Sequence, residues 1–343
     1  MLVTYSEAQA LHIPRPYVLR GVLTAPREIP ERAEQLLAAV RAANHPVRAP
    51  RSFGRAPLRG VHSDDYLDFL ETAFGRWQDS EGGDGLVTPV TAALRRVASR
   101  PLSVRGQAGW YLASGSVGIE AGTWEAVSGA ADCALEAAET LREGAKEAYA
   151  ICRPPGHHAY ADLAGGYCYL NNAAIAAHHL AVSMGRVAVL DVDVHHGNGT
   201  QDIFYARGDV HFVSVHADPD AAYPFYAGRA GERGEGAGLG HTLNLPLPVG
   251  TGDAGYLQAL DQGLASIREF APAALVVSLG LDAFEGDSSR LLAVSTPGFA
   301  AIGERIGTLR LPTLLVQEGG YAVDDLARNI TSFLSGFLAP RAG

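Results

Sequence analysis

The stretch Val187-Ala-Val-Leu-Asp191-Val-Asp193-Val-His195-His196-Gly197-Asn198-Gly199-Thr200 constrains this chain more than any other. It opens as an apolar, β-branched run, the pattern of a strand buried on both faces. It then becomes Asp-Val-Asp-Val-His. Side chains alternate along a strand, so Asp191, Asp193 and His195 are expected on one face. The Gly-Asn-Gly that follows forces a turn. Carboxylates and an imidazole at the carboxyl end of a buried strand sit where open α/β sheets hold active sites. The plainer reading is a strand with a structural polar end. It is disfavoured, because adjacent buried carboxylates are costly without compensation, and a metal ion is the simplest compensation.

Other apolar runs repeat the pattern. Ala148-Tyr-Ala-Ile-Cys152, Val210 to His216, Leu275 to Asp282 and Thr313 to Gln317 read as buried strands separated by helical stretches. Alternating strands and helices predict an α/β fold with a parallel sheet. The 343 residues and 47% hydrophobic composition allow one large core. No linker-like shift divides the chain, so residues 1–343 are expected to form a single domain. Pro30-Glu31-Arg32 is expected to start a helix, and Val61 to Leu67 to run from a strand end into a short helix. Residues 71–118 look irregular, with a polar loop at 78–85. A segment that long suits a lid or an interface near a site, or a solvated insertion.

The formal net charge of −10 argues against nucleic acid or anionic membrane as partners and is compatible with a cationic substrate. Three cysteines form no framework, as expected in a reducing compartment. The first residues lack a signal-peptide pattern, and no run of about 18 apolar residues reads as a membrane span. A cytoplasmic protein is expected.

Three strand ends bring Asp193, His195 and Asp282 toward one edge of the sheet. One imidazole and two carboxylates with an open position suit a catalytic zinc, and Fe(II) equally by ligand type. Such a metal lowers the pKa of water and polarises a carbonyl. A base must then move the proton. His157 and His158, on the stiff Arg-Pro-Pro-Gly loop, are the candidates, with Asp191 and Asn198 as orienting partners. Tyr321, after two glycines, could donate to a developing oxyanion. Tyr223-Pro-Phe225-Tyr226 is dense enough to line a pocket. His62, His178 and His179 read as structural. Gly234 to Gly238 lacks the strand and helix that a phosphate loop needs.

Arg-Pro-Pro-Gly-His157-His158, Gly166-Tyr167-Cys168-Tyr169-Leu-Asn-Asn, Asp191-Val-Asp193-Val-His195-His196-Gly-Asn198-Gly-Thr, Gly280-Leu-Asp282-Ala-Phe and Glu-Gly-Gly-Tyr321 together resemble the histone deacetylase superfamily. The motifs fall in the family's order over roughly residues 10 to 335. The resemblance implies the arginase-deacetylase fold, a single-domain central parallel sheet with helices on both faces. It implies zinc on Asp193, His195 and Asp282, with His158 as base and then acid, and His157 as its electrostatic partner oriented by Asp191. Asn198, where some members carry Asp, would orient His158. Tyr321 would polarise the acetyl carbonyl, and the Gly166 carbonyl would accept the substrate N–H. Tyr167 and Phe225 would wall a tunnel. A structural potassium ion would take Asp191, Asp193, His195, Ser214 and Val215. A second monovalent site would use backbone oxygens at Phe204, Arg207 and Val210. Arg32 matches an arginine beside an internal channel.

Within the superfamily, Tyr167, the His216 to Phe225 stretch, Asp287, Trp124 and the insertion before it are most similar to bacterial acetylpolyamine amidohydrolases. In that group the insertion helps form a homodimer and narrows the mouth. The expectation is hydrolysis of small, cationic acetylated amines to acetate and free amine. Glu120 is the one acid at 105–120 for a distal ammonium, and Ser289 stands where some polyamine-selective relatives carry Glu. The alternatives are an acetyl-lysine deacetylase or broader acyl-amide hydrolase, and a non-catalytic regulator. A two-metal ureohydrolase is disfavoured, because Gly197 and Phe284 occupy the places of the further acids.

Overall fold

The computed structural model describes residues 1–81, 85–93 and 99–341. Ten strands are described: β1 Leu2–Thr4, β2 Tyr17–Leu19, β3 Val22–Thr24, β4 Val47–Arg48, β5 Glu147–Ala150, β6 Val187–Asp191, β7 Val210–Ala217, β8 Thr242–Leu247, β9 Ala274–Leu279 and β10 Thr313–Gln317. Eight of them form one sheet in the order β4-β1-β5-β10-β9-β6-β7-β8, parallel at every pairing. The antiparallel β2–β3 pair stands apart.

The helices are α1 Glu31–Ala42, α2 Asp64–Glu81, α3 Val104–Tyr111, α4 Thr123–Arg142, α5 Asn172–Met184, α6 Asn198–Phe204, α7 Asp253–Phe270, α8 Thr296–Gly307 and α9 Val323–Leu338. Alternation along the strands divides the interior into two cores. Val187, Val189, Val276 and Val316 pack with α4 and α5 on one face. Ala188, Leu190, Val277 and Leu315 pack with α1, α7, α8 and α9 on the other. All five residues of β6 and all eight of β7 are buried, as a parallel sheet covered on both faces requires. The expected single-domain α/β architecture is present.

Two local expectations fail. No strand ends at Val61 to Ser63; a short 3-10 turn, Pro57–Gly60, leads into α2 instead. That helix is 18 residues long, not short. It takes in 78–81, so the polar loop expected at 78–85 is partly helical, and its residues 82–84 lie outside the described residues. Apolar Tyr66, Leu67, Phe69, Leu70 and Ala73 recur at helical spacing and are buried, Tyr66 and Phe69 against Tyr111 of α3, which outweighs the polar composition of the last turn. Within 71–118 the described residues thus include the rest of α2, all of α3 and a 3-10 turn at Gly115–Val117.

Candidate active site

The strand order explains the site. β5, β10, β9 and β6 are immediate neighbours. Parallel pairing puts their carboxyl ends on one edge, each about 4.8 Å from the next. The loop after β5 carries His157 and His158, that after β10 Tyr321, that after β9 Asp282, and that after β6 Asp193 and His195.

β6 ends at Asp191, so the pleat does not set the direction of Asp193 and His195. Bends do. Asp191 Oδ1 accepts the Asp193 N–H at 3.1 Å, and Asp193 Oδ1 accepts the His195 N–H at 2.9 Å. Asp282 likewise lies beyond the end of its strand. Each of Asp193, His195 and Asp282 offers one ligand atom within 4.8 Å of the others, the one such cluster among the described residues. His195 Nδ1 lies 3.2 Å from Asp193 Oδ1 and 3.3 Å from Asp282 Oδ2. Asp282 Oδ2 is buried without a hydrogen bond. Glycine is required nearby: a Cβ at Gly319 would come within 2.2 Å of that oxygen, and one at Gly280 within 2.3 Å of Asp193 Oδ2.

Burial and Asp193 raise the Asp282 carboxyl to about 6. Burial opposes charge on His195 as well, yet the two carboxylates raise its imidazole to about 10. The cluster therefore draws a positive charge into itself. A divalent cation meets the same demand, and one imidazole with two carboxylates fits zinc or Fe(II).

His157 and His158 lie with ring centroids 4.0 Å apart, in opposite environments. His157 Nδ1 is 2.9 Å from Asp191 Oδ2. Burial works against its charged form, but Asp191 and then Asp193 raise it well above the usual histidine range. His158 is pushed well below that range by burial, His157 and His195. Its Nδ1 lies 2.6 Å from Asn198 Oδ1, while Asn198 Nδ2 donates to the Tyr160 hydroxyl at 2.9 Å. This network assigns the amide oxygen to His158, which makes Nδ1 the donor and leaves Nε2 as a free acceptor. Asn198 opens α6, whose Gly199 and Thr200 amides cap the His157 carbonyl. One short helix thus fixes both histidines.

Tyr321 is placed by Asp287, which accepts its N–H at 2.8 Å, and by the Arg32 guanidinium 4.8 Å from its ring centroid. Arg32 is buried and donates to the carbonyls of Gly320 and Glu318. Burial raises the Tyr321 phenol well above its usual value, so it stays protonated. Tyr167 packs edge-on to Tyr321 at 5.8 Å and meets the Tyr17 hydroxyl at 2.5 Å. Gly166 has φ +54°, and a Cβ there would strike the His158 ring at 2.3 Å. Tyr223, not Phe225, packs on His158, at 4.7 Å. Phe225 is half exposed and touches Tyr223 edge-on. Glu120 is not free: Arg15 Nε binds it at 3.0 Å.

Among the residues expected at monovalent ions, Asp191 and Asp193 are fully buried in this cluster with His195. Val215 and Ser214 follow on the neighbouring strand β7, where the Ser214 hydroxyl meets His216 Nδ1 at 2.8 Å. The Phe204 carbonyl accepts the Arg207 N–H at 2.9 Å, just before Val210 opens β7. His62 bridges Tyr160 and Asn171, and His178 and His179 contact Arg207 and Glu139, so all three are structural. Tyr160 and Glu318 have positions in the site that sequence alone did not mark, and Asp287, named there only for the resemblance, holds the Tyr321 backbone. Glu318 stood within a quoted motif, but nothing in its spacing signalled a contact with the loop after β5.

The chain matches the histone deacetylase domain over residues 26–337. It is 48% identical to an acetylpolyamine amidohydrolase of Burkholderia pseudomallei, over 99% of this chain and 100% of the relative. It is 42% identical to the acetylpolyamine amidohydrolase of Mycoplana ramosa, over 98% of this chain and 99% of the relative. A crystal structure of acetylpolyamine aminohydrolase from Burkholderia pseudomallei superposes with a TM-score of 0.95, at 49% identity and 99% coverage of both chains. The HDA15 HD domain superposes at 0.82, with 26% identity, covering 99% of this chain and 91% of that one. With the sheet order, the paired histidines and the Asp-His-Asp cluster in hand, this likeness across nearly the whole chain shows that the protein belongs to the histone deacetylase domain family.

Proposed function

We propose that the chain is a metal-dependent amidohydrolase that removes acetyl groups from acetylated polyamines and similar small acetylated amines. The observation that carries this is the contrasted histidine pair beside the Asp193–His195–Asp282 cluster, in a chain 48% identical to an acetylpolyamine amidohydrolase. Zinc, or Fe(II), held by those three residues supplies Lewis-acid polarisation and acidified water.

The residues divide the remaining work. His158 Nε2, its lone pair directed by Asn198, takes a proton from the attacking water. It later returns that proton to the amine nitrogen as the C–N bond breaks, giving acetate and free amine. His157, kept cationic by Asp191, stabilises charge that builds on the acyl oxygen and keeps His158 neutral beforehand. The Tyr321 hydroxyl donates to that oxygen. The Gly166 carbonyl accepts the substrate N–H, and Tyr167 and Phe225 wall the tunnel with Tyr223 behind them. Asp191, Asp193, His195, Ser214 and Val215 would hold potassium, which would offset the charge of the two buried acids, and the Phe204, Arg207 and Val210 carbonyls would hold a second monovalent ion. Glu120 would take the distal ammonium only by exchanging its Arg15 partner.

That ion pair favours a second reading, in which neutral acyl amides or acetyl-lysine peptides compete with the polyamines. The deciding measurement is kcat/KM for acetylputrescine and acetylspermidine against an acetyl-lysine peptide, with His158→Ala as blank. A preference of about 10²-fold for the small amines, roughly 2.7 kcal/mol, supports the first reading. Parity or the reverse supports the second.

A further inference from the structure

Glu318 is a buried carboxylate that the mechanism above leaves without a task. It follows β10 and has 0% exposure. Its Oε2 accepts the backbone N–H of Gly156 at 2.7 Å and of His157 at 3.1 Å. Its Oε1 accepts the Ser278 hydroxyl at 3.3 Å. The side chain thus spans from the end of one strand to the loop of its neighbour β5. Burying a carboxylate is costly, and here the compensating hydrogen bonds are two loop amides and a hydroxyl.

The backbone around it is tied in the other direction. The Gly319 N–H donates to Asp193 Oδ2 at 2.8 Å, and Arg32 donates to the Glu318 and Gly320 carbonyls at 2.6 Å each. Three residues after Glu318 comes Tyr321. A single tetrapeptide therefore joins the loop of the two histidines to the segment of the phenol.

We propose that Glu318 is a positioning residue: its side chain sets the His157–His158 loop in register with Tyr321, so that proton acceptor and oxyanion donor address one acyl group. This rests on the amidohydrolase reading. What the loop amides meet at Oε2 is an acceptor oxygen, and burial raises the Glu318 carboxyl to about 7. A glutamine amide keeps that oxygen. Aspartate keeps the charge but loses a methylene of reach.

The test compares wild type with Glu318→Gln, Glu318→Ala and Glu318→Asp in acetylputrescine hydrolysis, and measures amide hydrogen exchange of the peptide spanning residues 152–160. Misplacing a reacting group by about 1 Å costs about 10²-fold. The expected result is a kcat loss of that order in the Ala and Asp variants, with KM within about threefold and faster loop exchange. Glu318→Gln should stay within about fivefold of wild-type kcat with the loop protected. The proposal is overturned if Ala and Asp keep kcat, if the loss falls on KM, or if Gln fails as badly as they do. Should Glu318→Ala not fold, the Gln and Asp variants still decide. Wild type inactive on every acetyl amide would count against the amidohydrolase reading instead, and the exchange arm would still decide whether Glu318 holds the loop.

Discussion

His158 and Asn198 make the most sensitive contact in the site, because an amide oxygen rather than a carboxylate meets the imidazole at 2.6 Å. An amide orients the ring without adding negative charge. Asn198→Asp would favour the imidazolium, so the acidic limb of the kcat/KM–pH profile is expected to move to higher pH. An unmoved limb would sink this assignment. His158→Ala and Tyr321→Phe should each lower kcat/KM by about 10²-fold or more, read against acetylputrescine. At the mouth, Arg15→Met should free Glu120 and raise kcat/KM for acetylspermidine relative to a neutral acetyl amide; an unchanged ratio would remove Glu120 from recognition. Much of this was legible in sequence, because Asp193, His195, Asp282 and the paired histidines stand in short motifs. The Arg15–Glu120 pair was not, since 105 positions separate its members.

β6 and β7 show what sequence discloses about elements. The apolar run Val187 to Leu190 and the Val- and Phe-rich Val210 to Val215 identify buried parallel strands. The lateral order that sets β10 between β5 and β9 depends on crossovers, and no local pattern encodes those. For the same reason α2 was misread: its helix is stabilised by packing on α3, a tertiary contact. The β2–β3 hairpin was not foreseen at all. Val18, Val22 and Leu23 on it are more than 60% exposed, as are Val90 and Leu102 within the 71–118 segment. Two isolated strands are marginal alone, and this apolar surface is consistent with a homodimer. Light scattering at micromolar protein should give twice the 36.0 kDa chain mass, with Leu23→Asp and Leu102→Asp shifting it to monomer. A wild-type monomer would overturn the dimer.

Across the whole molecule, buried neutral histidines dominate the acid response. Burial lowers His62, His211 and His216 to about 4 and His12 to about 3. A depressed folded pKa means the unfolded chain binds more protons between about 4 and 6.5, so stability falls as pH drops through that window. Each group contributes up to about 3 kcal/mol. Glu318, raised to about 7, and Asp282, raised to about 6, act in the opposite sense by similar amounts, which offsets two of the four. The thermal midpoint should therefore fall steeply between pH 6.5 and 4.5, and a flat profile would refute this. No helix among the described residues is long and apolar enough to cross a membrane.

The place of β10 has a consequence for how the chain is made. It lies fourth in the sheet yet comes last in the chain among the sheet's eight described strands. Until Thr313–Gln317 leaves the ribosome, β5 and β9 each present an open edge toward a slot that nothing in the preceding chain fills. Open edges of apolar strands invite wrong pairing, so the nascent protein is prone to aggregate until β10 has emerged. Chains stopped short of residue 313 should accumulate with chaperones or in the insoluble fraction, and no such fragment should turn over substrate.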